Sequence, residues 1–261
     1  MAALAPSLAA PRAASSLKRW AGFARSLAIY RARPWRQRER VAFYRCFVKP
    51  GDLCFDIGAH LGNHTAAWLS LGARVVAVEP QPDFAAFLRR LYGQRREVTL
   101  ITKALGAGSG QAILHTSALT PTVSTLSEDW IETVKPQPGF AAVDWEGRLP
   151  VEVTTLDSLI ETHGLPAYCK IDVEGHEAQV LAGLSQPLPR LCFEVLPAAL
   201  PVALACLDRL GALGDYRYNL SLGERPRLLL SDWCDGATLR EHLARLGPDS
   251  PSGDIHACLA S

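Results

Sequence analysis

Short apolar runs and amphipathic stretches alternate along most of the chain from residue 53 onwards. Continuous apolar runs predict buried strands, and apolar residues at helical spacing predict helices of about 10–15 residues between them. The first half predicts strands at 53–59, 74–80 and 97–105, with helices at 63–73 and 82–93. This alternation is typical of a doubly wound, mostly parallel α/β sheet.

The same alternation resumes after residue 150. A strand followed by a helix is predicted three more times, at 151–164, 168–184 and 190–214. The tail predicts two or three further strands, at 216–223, 227–233 and 254–260, with a helix near 237–246. Residues 110–116 predict one arm of an antiparallel hairpin.

Residues 117–150 interrupt this alternation. The segment is rich in Ser, Thr and Pro and contains Trp130 and Trp145. A segment of this length between regular elements is typical of a lid, a binding loop or a disordered linker. We expect a lid that closes over a bound ligand. Its two tryptophans either form walls for that ligand or pack the loop down.

The composition is that of a soluble globular protein, with 48% hydrophobic and 20% charged residues among 261. This length suits one large domain or one domain with extensions. No apolar run reaches the length of a membrane-spanning helix, so no stable membrane insertion is expected. The seven cysteines are an odd number without CxxC pairs, which favours reduced core cysteines and a cytoplasmic location.

Charge is divided unevenly along the chain, although the net charge is only +1. Residues 1–40 contain nine Lys or Arg and one acid, which leaves 18 basic and 25 acidic residues in 41–261. A body with a net charge of −7 argues against nucleic-acid binding, which requires clustered Lys and Arg. We therefore expect a basic N-terminal extension at 1–40, partly disordered or helical, followed by one domain at 41–261.

The extension admits three interpretations. Residues 17–35 have apolar residues near helical spacing, with basic residues between them. The pattern fits an amphipathic helix packed on the main domain, an organelle transit peptide, or a helix lying on an anionic membrane surface.

The stretch "CFDIGAHLGNHT" (54–65) ends a predicted strand in a turn with two glycines, Gly58 and Gly62. Glycine lets the backbone approach a ligand closely, and the helix that begins near Asn63 points free N–H groups into the same crevice. Glu79 ends the second strand, 21 residues after Gly58, where an acid can accept hydrogen bonds from a ribose. The turn therefore predicts a cofactor that contains a ribose.

The choice of cofactor depends on the glycine spacing and on Asp56. The nicotinamide fingerprint is GxGxxG, whereas residues 58–62 read GxxxG and lack the third glycine. A carboxylate at Asp56 would repel a pyrophosphate but suits a cationic ligand, which favours S-adenosylmethionine over NAD. The structural alternative is a tight turn in which a buried Asp56 caps the following helix.

A second group of charged residues lies in "YCKIDVEGHE" (168–177), where Lys170, Asp172 and Glu174 fall on one face of a strand. Charges on a central parallel strand must be paired or lie at its carboxyl end, beside the ligand crevice. The alternative to a site is an ion network that shapes the fold. Glu194 occupies a similar place on the next strand and is expected to face the same cleft.

From about Arg40 to the C-terminus the chain resembles the FkbM family of S-adenosylmethionine-dependent methyltransferases. The similar segments are "FDIGAHLGNHT", "VAVEP", "TTLDSL", "KIDVEGHEAQVLAGL", "FEV" and "SGDIHA". The resemblance implies a class I methyltransferase fold, Rossmann-like, with a mostly parallel seven-stranded sheet and a reversed strand at one edge. It also implies O-methylation of a hydroxyl on a sugar, glycan or secondary metabolite, so that the partner is a small-molecule or carbohydrate acceptor.

Carried over by position, the resemblance implies that Asp56, Gly58, Gly62 and Glu79 bind the cofactor. It also implies that Ala104, after the third strand, lies beside the adenine. With the other turn residues, the expected cofactor site comprises Asp56, Gly58, His60, Gly62, Asn63, Glu79 and Ala104. No catalytic role is assumed for His60 or His64.

Methylation of a hydroxyl needs a base by the transition state. The candidates are Asp172, Glu174, His176 and Glu194, and we favour Asp172 or Glu174 because both lie where a strand end meets the cofactor turn. In an alternative mechanism the three acids hold a divalent metal that polarises the hydroxyl. An NAD-dependent oxidoreductase and a non-catalytic cofactor-binding module are the competing functions.

Overall fold

The computed structural model describes residues 13–31, 34–223 and 226–260, and ten strands follow one another in this part of the chain. They are β1 (Leu53–Ile57), β2 (Arg74–Val78), β3 (Val98–Ile101), β4 (Ala104–Leu105), β5 (Gly110–Thr116), β6 (Gly147–Thr154), β7 (Tyr168–Ile171), β8 (Arg190–Val195), β9 (Tyr216–Leu222) and β10 (Gly253–Leu259). Seven of them form a sheet in the order β3-β2-β1-β7-β8-β10-β9, and three form a small sheet in the order β4-β6-β5.

Nine α-helices occupy the same described ranges, together with two 3₁₀ turns at Pro121–Val123 and Pro197–Ala199. The helices are α1 (Ala13–Tyr30), α2 (Pro34–Tyr44), α3 (Asn63–Ser70), α4 (Pro82–Tyr92), α5 (Glu128–Val134), α6 (Leu156–His163), α7 (Glu177–Ala182), α8 (Leu200–Leu213) and α9 (Gly236–Ala244).

The large sheet is covered on both faces, because alternate residues of its central strands enter two hydrophobic clusters. On β1, Phe55 and Ile57 join the cluster that includes residues of α6, α7, α8 and α9, while Cys54 joins the cluster of α2, α3 and α4. Every residue of β1 and of β7 is buried, as expected of strands between two layers of helices. The prediction of a doubly wound α/β fold is confirmed.

The large sheet is parallel except for one strand. β1 pairs in parallel with β2 and β7, β2 with β3, and β7 with β8. β10 is antiparallel to both β8 and β9, so the reversed strand lies one place inside the edge and not at the edge itself. The reason is that α8 leads the chain from β8 to β9 two places away, and β10 then fills the gap, where it satisfies the backbone of both neighbours.

The small sheet corrects the third predicted strand. The predicted strand 97–105 divides at the exposed pair Thr102 and Lys103 into β3 and β4. Lys103 pairs at 2.9 Å with Glu152 of β6, and β4 lies parallel to β6 in the small sheet. The hairpin arm predicted at 110–116 is confirmed, since β5 runs antiparallel to β6.

The strand predicted at 227–233 does not form, and these residues are bends and irregular backbone. A single bridge pairs Tyr218 with Cys234. The side-chain amide of Asn219 donates to the carbonyl of Leu230 at 3.0 Å, and its oxygen accepts from the N–H of Leu230 at 3.0 Å. The buried side-chain amide of Asn219 thus makes the hydrogen bonds to the backbone of Leu230 that a neighbouring strand would otherwise make.

Helix α1 packs on the domain, as one interpretation of the N-terminal extension predicts. The ring of Phe23 lies 5.4 Å from the ring of Phe84 on α4. Gly22 fits against the start of the segment 117–150, where a Cβ would come within 2.1 Å of the carbonyl oxygen of Ala118. Disorder is expected at 1–16; residues 1–12 lie outside the described ones, and 13–16 belong to α1. No helix in the described ranges combines the length and the apolar character needed to cross a membrane.

Candidate active site at the carboxyl edge of the sheet

A cavity of about 510 Å³ lies at the carboxyl ends of β1, β2, β7 and β8. The chain order reverses between β1 and β7, and such a switch point is where open α/β sheets place their ligands. Among the described residues, five carboxylates and two cationic side chains line the cavity: Glu79, Asp172, Glu174, Glu194, Asp254, Arg40 and Lys170. This excess of acids favours a cationic ligand over a pyrophosphate.

The turn between β1 and α3 uses backbone conformations that few residues adopt. Gly58 and Gly62 have φ angles of +81° and +73°, and His60 has +48°. A Cβ on Gly58 would lie 1.8 Å from the carbonyl oxygen of Asp172, so close contact with the end of β7 requires this glycine. From the sequence, Gly58 is expected to let the backbone approach a ligand. The structure shows that Gly58 also lets the end of β1 approach the end of β7.

Asp56 lies beneath the turn and is not among the residues that line the cavity. It is 1% exposed, and its Oδ2 accepts hydrogen bonds from the N–H of Thr65 at 2.9 Å and from its hydroxyl at 2.5 Å. Burial raises the pKa of Asp56 to about 6, although the bonds from Thr65 lower it. The carboxylate therefore ties β1 to the first turn of α3, as in the alternative in which it caps the helix.

Glu79 lies in the cavity wall at the end of β2 and is 2% exposed. Its Oε2 accepts from the N–H of His60 and its Oε1 from the N–H of Gln81, each at 2.8 Å. Burial raises the pKa of Glu79 to about 7, while the two backbone hydrogen bonds lower it. Because each carboxylate oxygen can accept a second bond, the side chain is fixed and still able to bind a ligand.

Of the other residues expected at the cofactor, His60, Asn63 and Ala104 line the same cavity, whereas Gly62 does not, since its Cα side faces Leu88 of α4. Asn63 opens α3, and the buried Ala104 belongs to β4. The ring of His60 lies 4.1 Å from the ring of Phe84, and its buried Nε2 has no hydrogen-bond partner in the described structure. Burial lowers the pKa of His60 to about 4, so a neutral imidazole with an unused polar atom borders the cavity.

The three acids expected to be catalytic converge at the cavity. Asp172 and Glu174 follow β7, Glu194 lies on β8, and one carboxylate oxygen of each lies within 4.8 Å of the other two. We call these residues the acid trio. Burial, reinforced by neighbouring carboxylates, raises the pKa values of Glu174 and Glu194 well above the usual range. Carboxylates in this arrangement can accept a proton or hold a divalent cation.

Lys170 is buried beside the acid trio and is 2% exposed. Its Nζ lies 3.1 Å from Oδ2 of Asp172 and 2.5 Å from Oδ1 of Asp254. Burial opposes the charge, but the two carboxylates outweigh it and hold the pKa of Lys170 well above its usual value. Asp254 on β10 pairs in register with Glu194 on β8. Although burial opposes its charge, Lys170 holds the pKa of Asp254 below the usual value. Lys170 thus belongs to an ion network in the cavity wall.

The turn after β7 is held by hydrogen bonds to Glu177 and by a contact with Trp130. Oε1 of Glu177 accepts from the N–H groups of Val173 at 3.0 Å and Gly175 at 3.3 Å, and burial raises the pKa of Glu177 to about 7. Gly175 has a φ of +87°, and a Cβ there would lie 2.1 Å from Cδ1 of Trp130. The segment 117–150 therefore contacts the turn that carries the acids.

The segment 117–150 shares a small core with the residues after β8, and this core contains Trp130, Val134, Val143, Trp145 and Ala199. The rings of the two tryptophans lie 6.2 Å apart, and Nε1 of Trp145 donates to the carbonyl of Val123 at 2.8 Å. Neither ring lines the cavity, so the tryptophans pack the segment down and do not form walls for a ligand. The residues of the segment that do line the cavity are Thr122, Ser124 and Leu126.

Sequence reasoning missed Gln81 and the role of Asp254. The amide of Gln81 donates to the carbonyl of Pro121 at 3.2 Å and accepts from the hydroxyl of Ser124 at 3.1 Å, so it tethers the segment 117–150 to the end of β2. The only signal for Gln81 is its place two residues after Glu79. Asp254 reaches Lys170 only because β10 inserts beside β8, which no local pattern indicates.

The cavity fits S-adenosylmethionine better than it fits a dinucleotide. Its volume is within the usual range for small-ligand sites, and its carboxylates complement a sulfonium. Glu79 and the unpartnered Nε2 of His60 offer hydrogen-bonding atoms to an adenosyl group. The acid trio, which lies on the opposite wall, has the donor set that a hard divalent cation prefers.

The chain is similar to proteins described as methyltransferases. The family model described as the methyltransferase FkbM domain matches residues 56–199. The hexuronic acid methyltransferase AglP of Haloferax volcanii is 28% identical over 150 residues, which are 56% of this chain and 55% of that protein. The match therefore spans about half the length of that curated relative.

Two solved structures are similar at low sequence identity. The precorrin-6y C5,15-methyltransferase of Geobacter metallireducens is 12% identical with a TM-score of 0.45, over 86% of this chain and 87% of that one. An rRNA methylase of Streptococcus thermophilus is 11% identical with a TM-score of 0.43, over 85% of this chain and 94% of that one.

Proposed function

The chain belongs to the FkbM methyltransferase family, and on this premise we propose that it transfers a methyl group from S-adenosylmethionine to a hydroxyl of a carbohydrate. The family match covers more than half of the chain and includes both the cofactor turn and the turn that carries the acids. The observation that carries the proposal is the meeting of Glu79 and the acid trio in one cavity, where a cofactor and a hydroxyl can be held side by side.

Residues at the ends of β1 and β2 would hold the cofactor. Glu79 accepts hydrogen bonds from the ribose hydroxyls, and the first turn of α3, beginning at Asn63, offers free N–H groups. Nε2 of His60 supplies one more polar contact, and Ala104 leaves room for the adenine. Asp56 acts from behind the wall by fixing the turn. When bound, S-adenosylmethionine supplies a methyl group on a sulfonium, which is an excellent leaving group.

The acid trio would take the proton of the acceptor. As the oxygen–methyl bond forms and the sulfur–methyl bond breaks, the hydroxyl proton passes to a carboxylate oxygen of Asp172 or Glu174, with Glu194 in reach. The raised pKa of Glu174 makes it a stronger base than an ordinary carboxylate, which general-base catalysis near neutral pH requires. Lys170 orients Asp172 through their ion pair.

A carbohydrate acceptor is supported by the curated relative, whose name states that it methylates a hexuronic acid. The half of the cavity beyond the acid trio has a polar lining that includes Ser221, Ser252 and Asp254. Hydroxyl and carboxylate groups of this kind suit the many hydroxyls of a sugar.

The segment 117–150 is proposed to act as the acceptor lid. Three of its residues line the cavity, Gln81 connects it to the end of β2, and Gly175 connects it to the turn after β7. Closure of such a segment would exclude water from the sulfonium and from the acceptor hydroxyl.

Two other functions have less support. An NAD-dependent oxidoreductase would need a pyrophosphate in a cavity lined mainly by acids, beside a turn that lacks the third glycine. A non-catalytic cofactor-binding module would have no use for three converging carboxylates.

Calorimetry with the full chain tests the cofactor first. We expect binding of S-adenosylmethionine and S-adenosylhomocysteine and no heat with NAD. The chain is then incubated with methyl-labelled cofactor and a panel of neutral and uronic-acid glycans, and products are identified by mass spectrometry. Label on a glycan oxygen supports the proposal, whereas absent binding of both adenosyl ligands would end it. If both adenosyl ligands bind but no glycan is labelled, the proposal of a carbohydrate acceptor is wrong.

A chelator assay separates the two uses of the acid trio. If the trio acts as a base, activity should persist in excess EDTA. Activity that is lost with EDTA and restored by Mg²⁺ or Mn²⁺ would instead assign the trio to a metal that polarises the hydroxyl.

A further inference from the structure

Helix α1 has a second apolar face, opposite to the face that packs on the domain. The packed face contains Gly22, Phe23 and the buried Ser26. The outer face contains Leu17 and Trp20, which are 76% and 70% exposed. Exposed alanines continue this stripe at helical spacing, at positions 21, 24 and 28.

The charges around this stripe are all positive. Lys18 and Arg25 are exposed, lie seven residues apart and therefore flank the stripe on the same side. No ion pair occupies either of them among the residues that the structure describes, whereas Arg19 is engaged by Asp83 at 2.8 Å. Helix α1 contains no acidic residue.

Single exposed apolar residues are common on proteins and need no explanation. Exposed leucines and an isoleucine also occur elsewhere on the described chain, but both of its exposed tryptophans, Trp20 and Trp35, lie in the basic extension. Tryptophan prefers the interface between lipid headgroups and acyl chains, and Lys and Arg bind anionic lipids. The body of the chain, by contrast, carries a net charge of −7.

We propose that the outer face of α1 docks on an anionic membrane surface, with Leu17 and Trp20 inserted at the interface and Lys18 and Arg25 on the lipid headgroups. This contact is peripheral and reversible, and it leaves the packed face of α1 in place. Tyr30, the last residue of the helix, lines the cavity, so docking would hold the cavity within about 27 Å of the lipid surface.

The test is co-sedimentation of the full chain with lipid vesicles. We expect binding to vesicles of phosphatidylcholine and phosphatidylglycerol, little binding to pure phosphatidylcholine, and release by salt. The double variant Lys18→Glu/Arg25→Glu should bind at least about tenfold more weakly, because two headgroup contacts become repulsive. Leu17→Ser/Trp20→Ser should lose a similar amount.

A matched control replaces exposed leucines elsewhere, Leu165→Ser/Leu229→Ser, which should leave vesicle binding unchanged. Binding of S-adenosylhomocysteine should be the same in every variant, which separates this proposal from the catalytic one. Failure of the wild-type chain to bind anionic vesicles would overturn the proposal. The proposal would also be overturned if light scattering shows a dimer that Trp20→Ser dissociates. A second copy of the chain, and not a membrane, would then cover the outer face of α1.

Discussion

Glu79 is a residue whose burial prepares it for a ligand. Two backbone N–H groups fix its carboxylate, and burial raises its pKa to about 7. Under the proposed role, ribose hydroxyls would donate to the ionised form and so favour it. Because the raised pKa keeps a fraction of Glu79 protonated near neutral pH, cofactor affinity should rise as the pH increases through about 7 and should then level off.

Replacement of Glu79 tests this role. Glu79→Ala should weaken binding of S-adenosylhomocysteine by about 1–3 kcal/mol, because a charge-assisted hydrogen bond is lost. Glu79→Gln, which keeps an acceptor oxygen, should lose less and should abolish the rise of affinity with pH. Calorimetry at several pH values measures both, with the exposed Glu161→Ala as control. An alanine variant with wild-type affinity would remove Glu79 from the ribose site.

The acid trio gives a second prediction at the residue scale. A protonated carboxylate cannot act as a base, so kcat/KM should fall as the pH drops through the pKa of the catalytic acid. Glu194→Gln removes a neighbouring negative charge, which lowers the pKa of Glu174 and should shift this fall by about one unit to lower pH.

The measurement is a pH profile with an acceptor found by the labelling experiment. An acidic limb that stays in place would show that Glu194 does not interact with the base. A loss of kcat by about 10²-fold or more across all pH values would make Glu194 itself the base.

At the scale of elements, the contact between α5 and the turn after β7 couples the segment 117–150 to the acid trio. Gly175→Ala would place a methyl group against the indole of Trp130 at a positive φ and should destabilise the chain by about 1–3 kcal/mol. In a Trp130→Ala background the same change should cost only the backbone strain. Urea unfolding of the four chains gives the coupling, and additive values within about 0.5 kcal/mol would contradict a direct contact.

Helix α1 contributes to the cavity wall through its last residue. The ring of Tyr30 lies 5.4 Å from the ring of His60, and both line the cavity. Tyr30→Ala should therefore weaken binding of S-adenosylhomocysteine by about 3- to 10-fold, since an aromatic contact worth about 1 kcal/mol is lost. Tyr30→Phe keeps the ring and should bind as the wild type does. Equal losses in both variants, measured by calorimetry, would assign the effect to the hydroxyl instead.

Most of the elements, but only part of the site, could be predicted from the sequence. The turns at Gly58 and Glu79 and the acids at Asp172 and Glu174 lie at strand ends that periodicity locates well. The contact between Gly58 and the carbonyl of Asp172 could not be predicted, because it depends on β1 and β7 being neighbours in the sheet. Asp254 was missed for the same physical reason, since strand order is set by packing of the whole chain and not by local pattern.

The whole molecule should respond to the cofactor as one unit, because β1 and β7 are shared by the cavity and both hydrophobic clusters. S-adenosylhomocysteine at about 100 times its Kd should add about 2.7 kcal/mol to the free energy of unfolding. For a chain of this size that corresponds to a rise in Tm of roughly 5–10 °C. Differential scanning fluorimetry measures the shift, and NAD at the same concentration should give none. An equal shift with NAD would contradict selectivity for the adenosyl ligand.

The insertion of β10 between β8 and β9 has a consequence for synthesis. On the ribosome, Lys170 and Glu194 emerge well before Asp254, and the slot between β8 and β9 stays open until β10 has been made. Until then Lys170 lacks one of its two counter-ions, and the backbones of two strands face an unfilled gap. The wall of the cavity that holds Lys170 and Glu194 can therefore be completed only after β10 has left the ribosome.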